Sequence, residues 1–121
     1  MIVAGFGYRS GTALPSCETA LALAQVGCPP VTALAAPDDR IDLLAPLAER
    51  LGLALFAIPS AALTGVPTPT CSPYSLAARG TGSVAEAAAL AAIGEGAHLI
   101  ACRHISPDRR ATCAIARGPS T

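Results

Sequence analysis

The sequence predicts a three-layer α/β/α fold on a mixed, mainly parallel sheet of about five strands, the last of them antiparallel. Three observations predict it. Short apolar runs alternate with segments of helical periodicity, the pattern of strands joined by crossover helices. Hydrophobic residues make up 52% of the 121 and charged residues 13%. Such a chain has ample apolar surface to hide, which excludes disorder. Two glycine-rich turns open helices: Gly5–Thr12 follows a strand and precedes a helix, and Gly80–Ser83 stands before a helix. The length fits one domain, residues 1–121.

Each element follows in order. Met1–Ala4 is an apolar run that reads as a buried strand, and Gly5 ends it. Gly5-Phe6-Gly7-Tyr8-Arg9-Ser10-Gly11-Thr12 reads as a turn. Pro15 and Ser16 open a helix, with Ser16 as cap and Glu18 in the first turn, and Gly27 stops it. Val31–Ala36 is the second strand, and Pro37-Asp38-Asp39 turns the chain. Leu43, Leu44, Leu47 and Leu51 share one side of a helix that holds Pro46 in its first turn and ends at Gly52. Leu53–Ile58 carries no charge, which predicts a central strand. Ser60 caps a short helical turn to about Leu63, and the proline-rich Gly65–Tyr74 is irregular. Val84–Ile93 is an alanine-rich helix ended by Gly94 and Gly96. His98–Cys102 and Thr112–Ala116 are the last strands, joined by the loop Arg103–Arg110.

Composition excludes several functions. Net charge is zero, and the cations are eight scattered arginines with no lysine. Nucleic acid binders need dense basic patches, so that class is excluded. Five cysteines at 17, 28, 71, 102 and 113 form no C-x-x-C pair. Neither a disulfide framework nor a metal site is expected, and reduced thiols in the cytoplasm fit best. The uncharged stretch Leu51–Ala78 is broken by Pro59, Pro67, Pro69 and Pro73, so no membrane span is expected.

Candidate site residues cluster at the turns. Gly5, Gly7 and Gly11 bring backbone N–H groups within reach of an anion, and Arg9 adds a forked cation beside Thr12. Gly80, Thr81, Gly82 and Ser83 precede a helix N-terminus and offer hydroxyls. Ser83-Val84-Ala85-Glu86 also has capping-box spacing, which favours a cap over a general base for Glu86. Arg103 and His104 follow the fourth strand as a carboxylate partner and a proton carrier. Glu86 and His104 are the only weak catalytic candidates, and no cofactor is implied. Cys102 and Cys113 read as small core residues, and Tyr74 as a loop aromatic.

The opening Gly5-Phe6-Gly7-Tyr8-Arg9-Ser10-Gly11-Thr12 resembles the G-x-G-x-R-x-G-[TS] signature of the CobE/CbiG C-terminal domain family. The segment Gly80-Thr81-Gly82-Ser83-Val84-Ala85-Glu86-Ala87-Ala88-Ala89-Leu90 resembles the family's second signature. Leu47–Leu53 and Ala111–Ala116 fit as well. The resemblance implies cobalamin (vitamin B12) biosynthesis, and a chain of the CobE kind implies the aerobic route. It implies binding of a precorrin or corrinoid intermediate, such as hydrogenobyrinic acid or a precursor, with other pathway enzymes as partners. Arg103 stands where the family often has Lys, and Tyr8 where it often has Cys. The lactone chemistry of CbiG belongs to a larger protein and is not carried over. Two other readings stay open: an enzyme acting on a precorrin, and a dinucleotide binder in which Gly5-x-Gly7-x-x-x-Gly11 and Asp38 would act.

Overall fold

The computed structural model describes residues 1–70, 76 and 81–119. Its elements are β1 (Ile2–Tyr8), α1 (Leu14–Gln25), β2 (Ala33–Pro37), α2 (Ala45–Leu51), β3 (Ala54–Ile58), α3 (Ser60–Leu63), α4 (Val84–Ile93), β4 (His98–Ile105) and β5 (Ala111–Arg117). The strands form one sheet in the order β3-β2-β1-β5-β4. β1, β2 and β3 pair in parallel, and β5 runs antiparallel to both β1 and β4. The mixed, mainly parallel sheet and its antiparallel last strand are as the sequence predicts.

Side chains alternate across the sheet, and each face has its own core. Ile2, Ala4, Phe6, Leu34, Ala36, Cys113 and Ile115 pack with Cys17, Ala20, Leu21 and Ala24 of α1 and Leu47 and Ala48 of α2. On the other face Val3, Ala33, Ala35 and Ile58 meet Leu63 of α3 and Ala87 and Ala88 of α4. Helices therefore cover both faces.

Three expectations about the strands change. β1 does not stop at Gly5; it runs on to Tyr8, paired with β5 through Gly5↔Ala114, Gly7↔Thr112 and Tyr8↔Ala111. Gly5 and Gly7 are strand residues because α4 lies directly on them. A Cβ at Gly5 would stand 2.1 Å from the Ala85 carbonyl oxygen and 2.6 Å from the Ala89 nitrogen. A Cβ at Gly7 would stand 3.0 Å from Thr112 Oγ1. Second, β3 is an edge strand, with Ala54 and Ala57 exposed. Its lack of charge reflects Leu55 packing on one core and Phe56 and Ile58 on the other from an edge position. Third, β4 extends through Arg103 and His104 to Ile105, so both residues lie within the β4–β5 hairpin.

Helix ends follow local chemistry. Ala13 precedes α1 without a side-chain cap, and Pro15 sits in the first turn. Ser16 is therefore not the cap, and Glu18 lies beyond the first turn, where it pairs with Arg50 of α2. Pro46 opens α2, and Gly52 closes it at φ 69°. Ser83 caps α4 by accepting the Glu86 N–H at 3.3 Å.

A methyl group at position 5 has no room, because the obstacle is helix backbone. Gly5→Ala is expected to destabilise the fold by about 3 kcal/mol or more. Gly11, at φ 82° with open space around it, is expected to lose only about 1 kcal/mol as Gly11→Ala. Urea denaturation checks both; an unchanged midpoint for Gly5→Ala would contradict the seating of α4.

Candidate functional site

The parallel strands end at one edge of the sheet. The chain leaves β1 for β2 and β3 on one side, then crosses by α4 to β4 on the other. Ligands of open α/β sheets sit outside the carboxyl ends of strands at such a reversal.

The residues after β1 form a tight turn pinned to the start of β5. Arg9 N donates to the Arg110 carbonyl at 3.0 Å, and Thr12 N to the Arg9 carbonyl at 3.1 Å. The buried Thr12 hydroxyl also donates to the Arg110 carbonyl, at 3.4 Å. Gly11 supplies the positive φ that closes the turn. The first signature thus divides by role. Gly5 and Gly7 admit α4, Gly11 and Thr12 shape and hold the turn, and Arg9 is an exposed residue at its first position. A dinucleotide fingerprint places its first glycines in the turn itself; here they lie inside β1.

The second signature lies close by, because a Cβ at Gly7 would stand 3.3 Å from Val84 Cβ. Thr81 is buried, and its hydroxyl donates to the Val66 carbonyl at 3.4 Å. Gly82 is half-buried between Thr81 and the capping residue Ser83. Gly80 and Tyr74 lie outside the described residues.

Glu86 is fully buried. A buried carboxylate must be matched by donors. Its Oε1 accepts from Thr70 N at 3.1 Å and Thr70 Oγ1 at 2.7 Å, and its Oε2 from Arg103 N at 2.9 Å. The third bond has a structural cause. The β4–β5 register shifts between Ala101 and His104, and such a bulge leaves a backbone N–H without a ladder partner. Glu86 satisfies it. The carboxylate therefore ties together α4, the proline-rich segment and the β4 bulge.

Arg103 is half-buried, while the His104 side chain is exposed with Nδ1 2.8 Å from the Cys102 carbonyl. The structure brings Arg9, Gly11, Thr12 and Arg110 together, and joins Arg103 to the first turn of α4 through its backbone. His104 is not brought to Glu86.

Some contacts escape sequence reasoning. Asp108, in the hairpin turn, accepts from Ser106 Oγ at 2.5 Å, Arg110 N at 3.1 Å and the Ser16 hydroxyl of α1. These bonds, the Ser106 hydroxyl foremost, hold its carboxyl down at about 2. Tyr8 OH donates to Asp42 Oδ1 at 3.0 Å and accepts from Leu43 N at 3.3 Å. Burial is the main cause that pushes its hydroxyl up to about 12. No local motif announces either pair, since the partners are 92 and 34 residues apart. Burial raises the Cys17 thiol to about 12 and the Cys113 thiol well above its ordinary value. Cys113 is a core residue as expected, whereas Cys102 is exposed on β4. Among the described residues no cluster of His, Cys, Asp or Glu is placed to hold a metal ion, and no helix is long and apolar enough to cross a membrane.

Fold and edge define an open, mixed α/β protein in which one antiparallel strand is inserted beside the reversal point. The family model for the cobalamin synthesis G C-terminus matches residues 2–116. Among solved structures, CobE, a protein from the cobalamin (vitamin B12) biosynthetic pathway, superposes with a TM-score of 0.85 at 29% identity, covering 100% of this chain and 92% of that one. Cobalamin biosynthesis protein chiG from Agrobacterium tumefaciens str. C58 is 35% identical, with a TM-score of 0.75 over 99% of this chain and 100% of that one. No curated protein matches this chain in sequence. The chain belongs to the cobalamin synthesis G C-terminus family and is a cobalamin-biosynthesis protein of the CobE/CbiG C-terminal type.

Two outcomes follow. Glu86→Gln turns an acceptor into a donor facing donors, and is expected to lower stability by about 2 kcal/mol, whereas His104→Ala leaves the urea midpoint unchanged. The folded Asp108 carboxyl titrates at about 2, below its ordinary 3.8. Its contribution is therefore present above about pH 4 and lost as pH falls through about 2. Wild type and Asp108→Asn should differ in stability at about pH 5 and converge toward about pH 2, as read by thermal melts across pH.

Proposed function

We propose that the chain binds a precorrin or corrinoid intermediate at the carboxyl edge of its sheet, as an auxiliary or carrier protein of the aerobic cobalamin pathway. It would act in the cytoplasm alongside other enzymes of that pathway. The observation that carries this reading is the exposed Arg9 on a turn fastened to β5, next to the start of α4. Corrinoid intermediates are flat, mostly apolar rings fringed with acetate and propionate carboxylates. Guanidinium groups on a rigid support suit that fringe, because they make forked, charge-assisted bonds to carboxylates. The cobalamin pathway proteins with the same fold support the ligand class.

The same geometry favours binding over acid–base chemistry. Both oxygens of Glu86 are committed to structural donors. His104 stands exposed on β4, with one ring nitrogen against a backbone carbonyl.

Titration with hydrogenobyrinic acid tests the reading. A saturable change in corrin absorbance and co-elution on gel filtration are expected. Arg9→Ala should weaken binding about tenfold, the loss of roughly one charge-assisted bond of about 1.5 kcal/mol. No spectral change and no co-elution with the wild-type protein would overturn it.

A further inference from the structure

The two edges of the sheet differ. A free edge offers backbone N–H and C=O groups to any other strand. β4 blunts its edge with register shifts between Leu99 and Ala101 and between Ala101 and His104, and it carries Arg103. β3, at the other edge, has neither device. Its register with β2 runs unbroken from Ala33↔Ala54 to Pro37↔Ile58. The sequence holds no charge from Leu51 to Ala78.

One bond fixes which backbone groups of β3 face outward. Asp38 N donates to the Ile58 carbonyl at 2.9 Å, so Ile58 faces β2. Backbone groups of successive strand residues alternate sides. Phe56 and Ala54 therefore face β2 as well, while Leu55 and Ala57 turn their N–H and C=O groups outward. Among the described residues no backbone group bonds to Leu55 or Ala57 on that side. Ala57 is exposed, and Leu55 is half-buried.

The strand Ala54-Leu55-Phe56-Ala57-Ile58 complements its own reverse. Laid antiparallel on a second copy, with the axis at Phe56, Leu55 meets the partner's Ala57, and Ala54 meets the partner's Ile58. Each large aliphatic side chain thus faces a small one. Leu55 and Ala57 fall at hydrogen-bonded positions, because their groups point outward. Phe56 meets the partner's Phe56 at a position without hydrogen bonds, where Cα atoms lie about 4.5 Å apart and aromatic pairs are favourable. A residue beside a twofold axis meets its own copy, so a charge there would repel itself. The uncharged stretch around β3 carries no such cost.

We propose that β3 is the interface of a homodimer, in which two copies join edge to edge and antiparallel into one continuous sheet. The pairing uses up β3 in both copies and leaves the bulged β4 at each outer end, so the assembly closes at two. The copies run in opposite directions, so their carboxyl edges face opposite ways and each keeps its own site. A ladder of 5 residues is small for a permanent interface, so monomer and dimer exchange with concentration. The dimer does not depend on which ligand the carboxyl edge takes.

Sedimentation velocity from about 1 to about 500 μM protein, a range that spans weak association, tests the interface. Wild type is expected to pass from monomer to dimer as concentration rises. Ala57→Lys sets an ammonium group against the partner's Leu55, at a position exposed in the monomer. It is expected to stay monomeric throughout, with an unchanged urea midpoint. Amide exchange reads the register. Leu55 and Ala57 should slow between dilute and concentrated wild type, while Phe56 and Ile58, which face β2, should not change. A wild type that stays monomeric, or an Ala57→Lys protein that dimerises as wild type does, would overturn the proposal. So would protection on concentration that spares Leu55 and Ala57. If Ala57→Lys does not fold, the wild-type exchange pattern decides by itself.

Discussion

The backbone of α4 lies so close to β1 that no side chain fits between them at Gly5. The surrounding surface is small throughout: Ala33 and Ala35 of β2 and Ala114 and Ala116 of β5 are all buried, as are Ala85 and Ala87–Ala89 of the helix. Alanine buries little apolar area per residue, so a helix of this composition gains most from close approach, where many weak dispersion contacts act together. That approach fixes the height and the axial position of α4. It sets where the helix begins relative to Gly7 and Thr112, and so where the two signature segments meet. The two motifs are one packing unit.

Glu86 completes the unit at the helix's first turn. The bulge in β4 frees a backbone N–H at Arg103, and the proline-rich segment brings the N–H and hydroxyl of Thr70. One buried carboxylate answers all three. A carboxylate in that position is costly unless every lone pair is used well; with three donors it fixes three segments that share no secondary structure. Ser83 caps the helix, as the sequence spacing suggests, but the acid of that spacing does its work on residues far away in the chain.

Much of this was legible in the chain, and the failures share a physical cause. The limits of α4 and the proline entry to α2 follow from local chemistry, and the sequence places them well. Gly5 and Gly7 read as turn residues because a glycine pair after an apolar run has a local explanation; their real constraint is a helix backbone some 80 residues later in the chain. β3 reads as central because it lacks charge, yet its Leu55, Phe56 and Ile58 pack onto the two cores from an edge position. Arg103 and His104 read as loop residues because a bulged strand loses its period. What the family signature conveys in sequence is the set of residues; the fold divides them into those that seat the helix, those that hold the turn, and those that face outward.

The proposed function puts ligand contact at the carboxyl edge, where α4, the Arg9–Thr12 turn and the β4–β5 hairpin converge. Amide hydrogen exchange with and without hydrogenobyrinic acid tests that placement most directly. Slowed exchange at residues 9–12, 82–84 and 109–111 is the predicted result. Protection confined to the opposite edge, at residues 27–32 and 94–97, would contradict it.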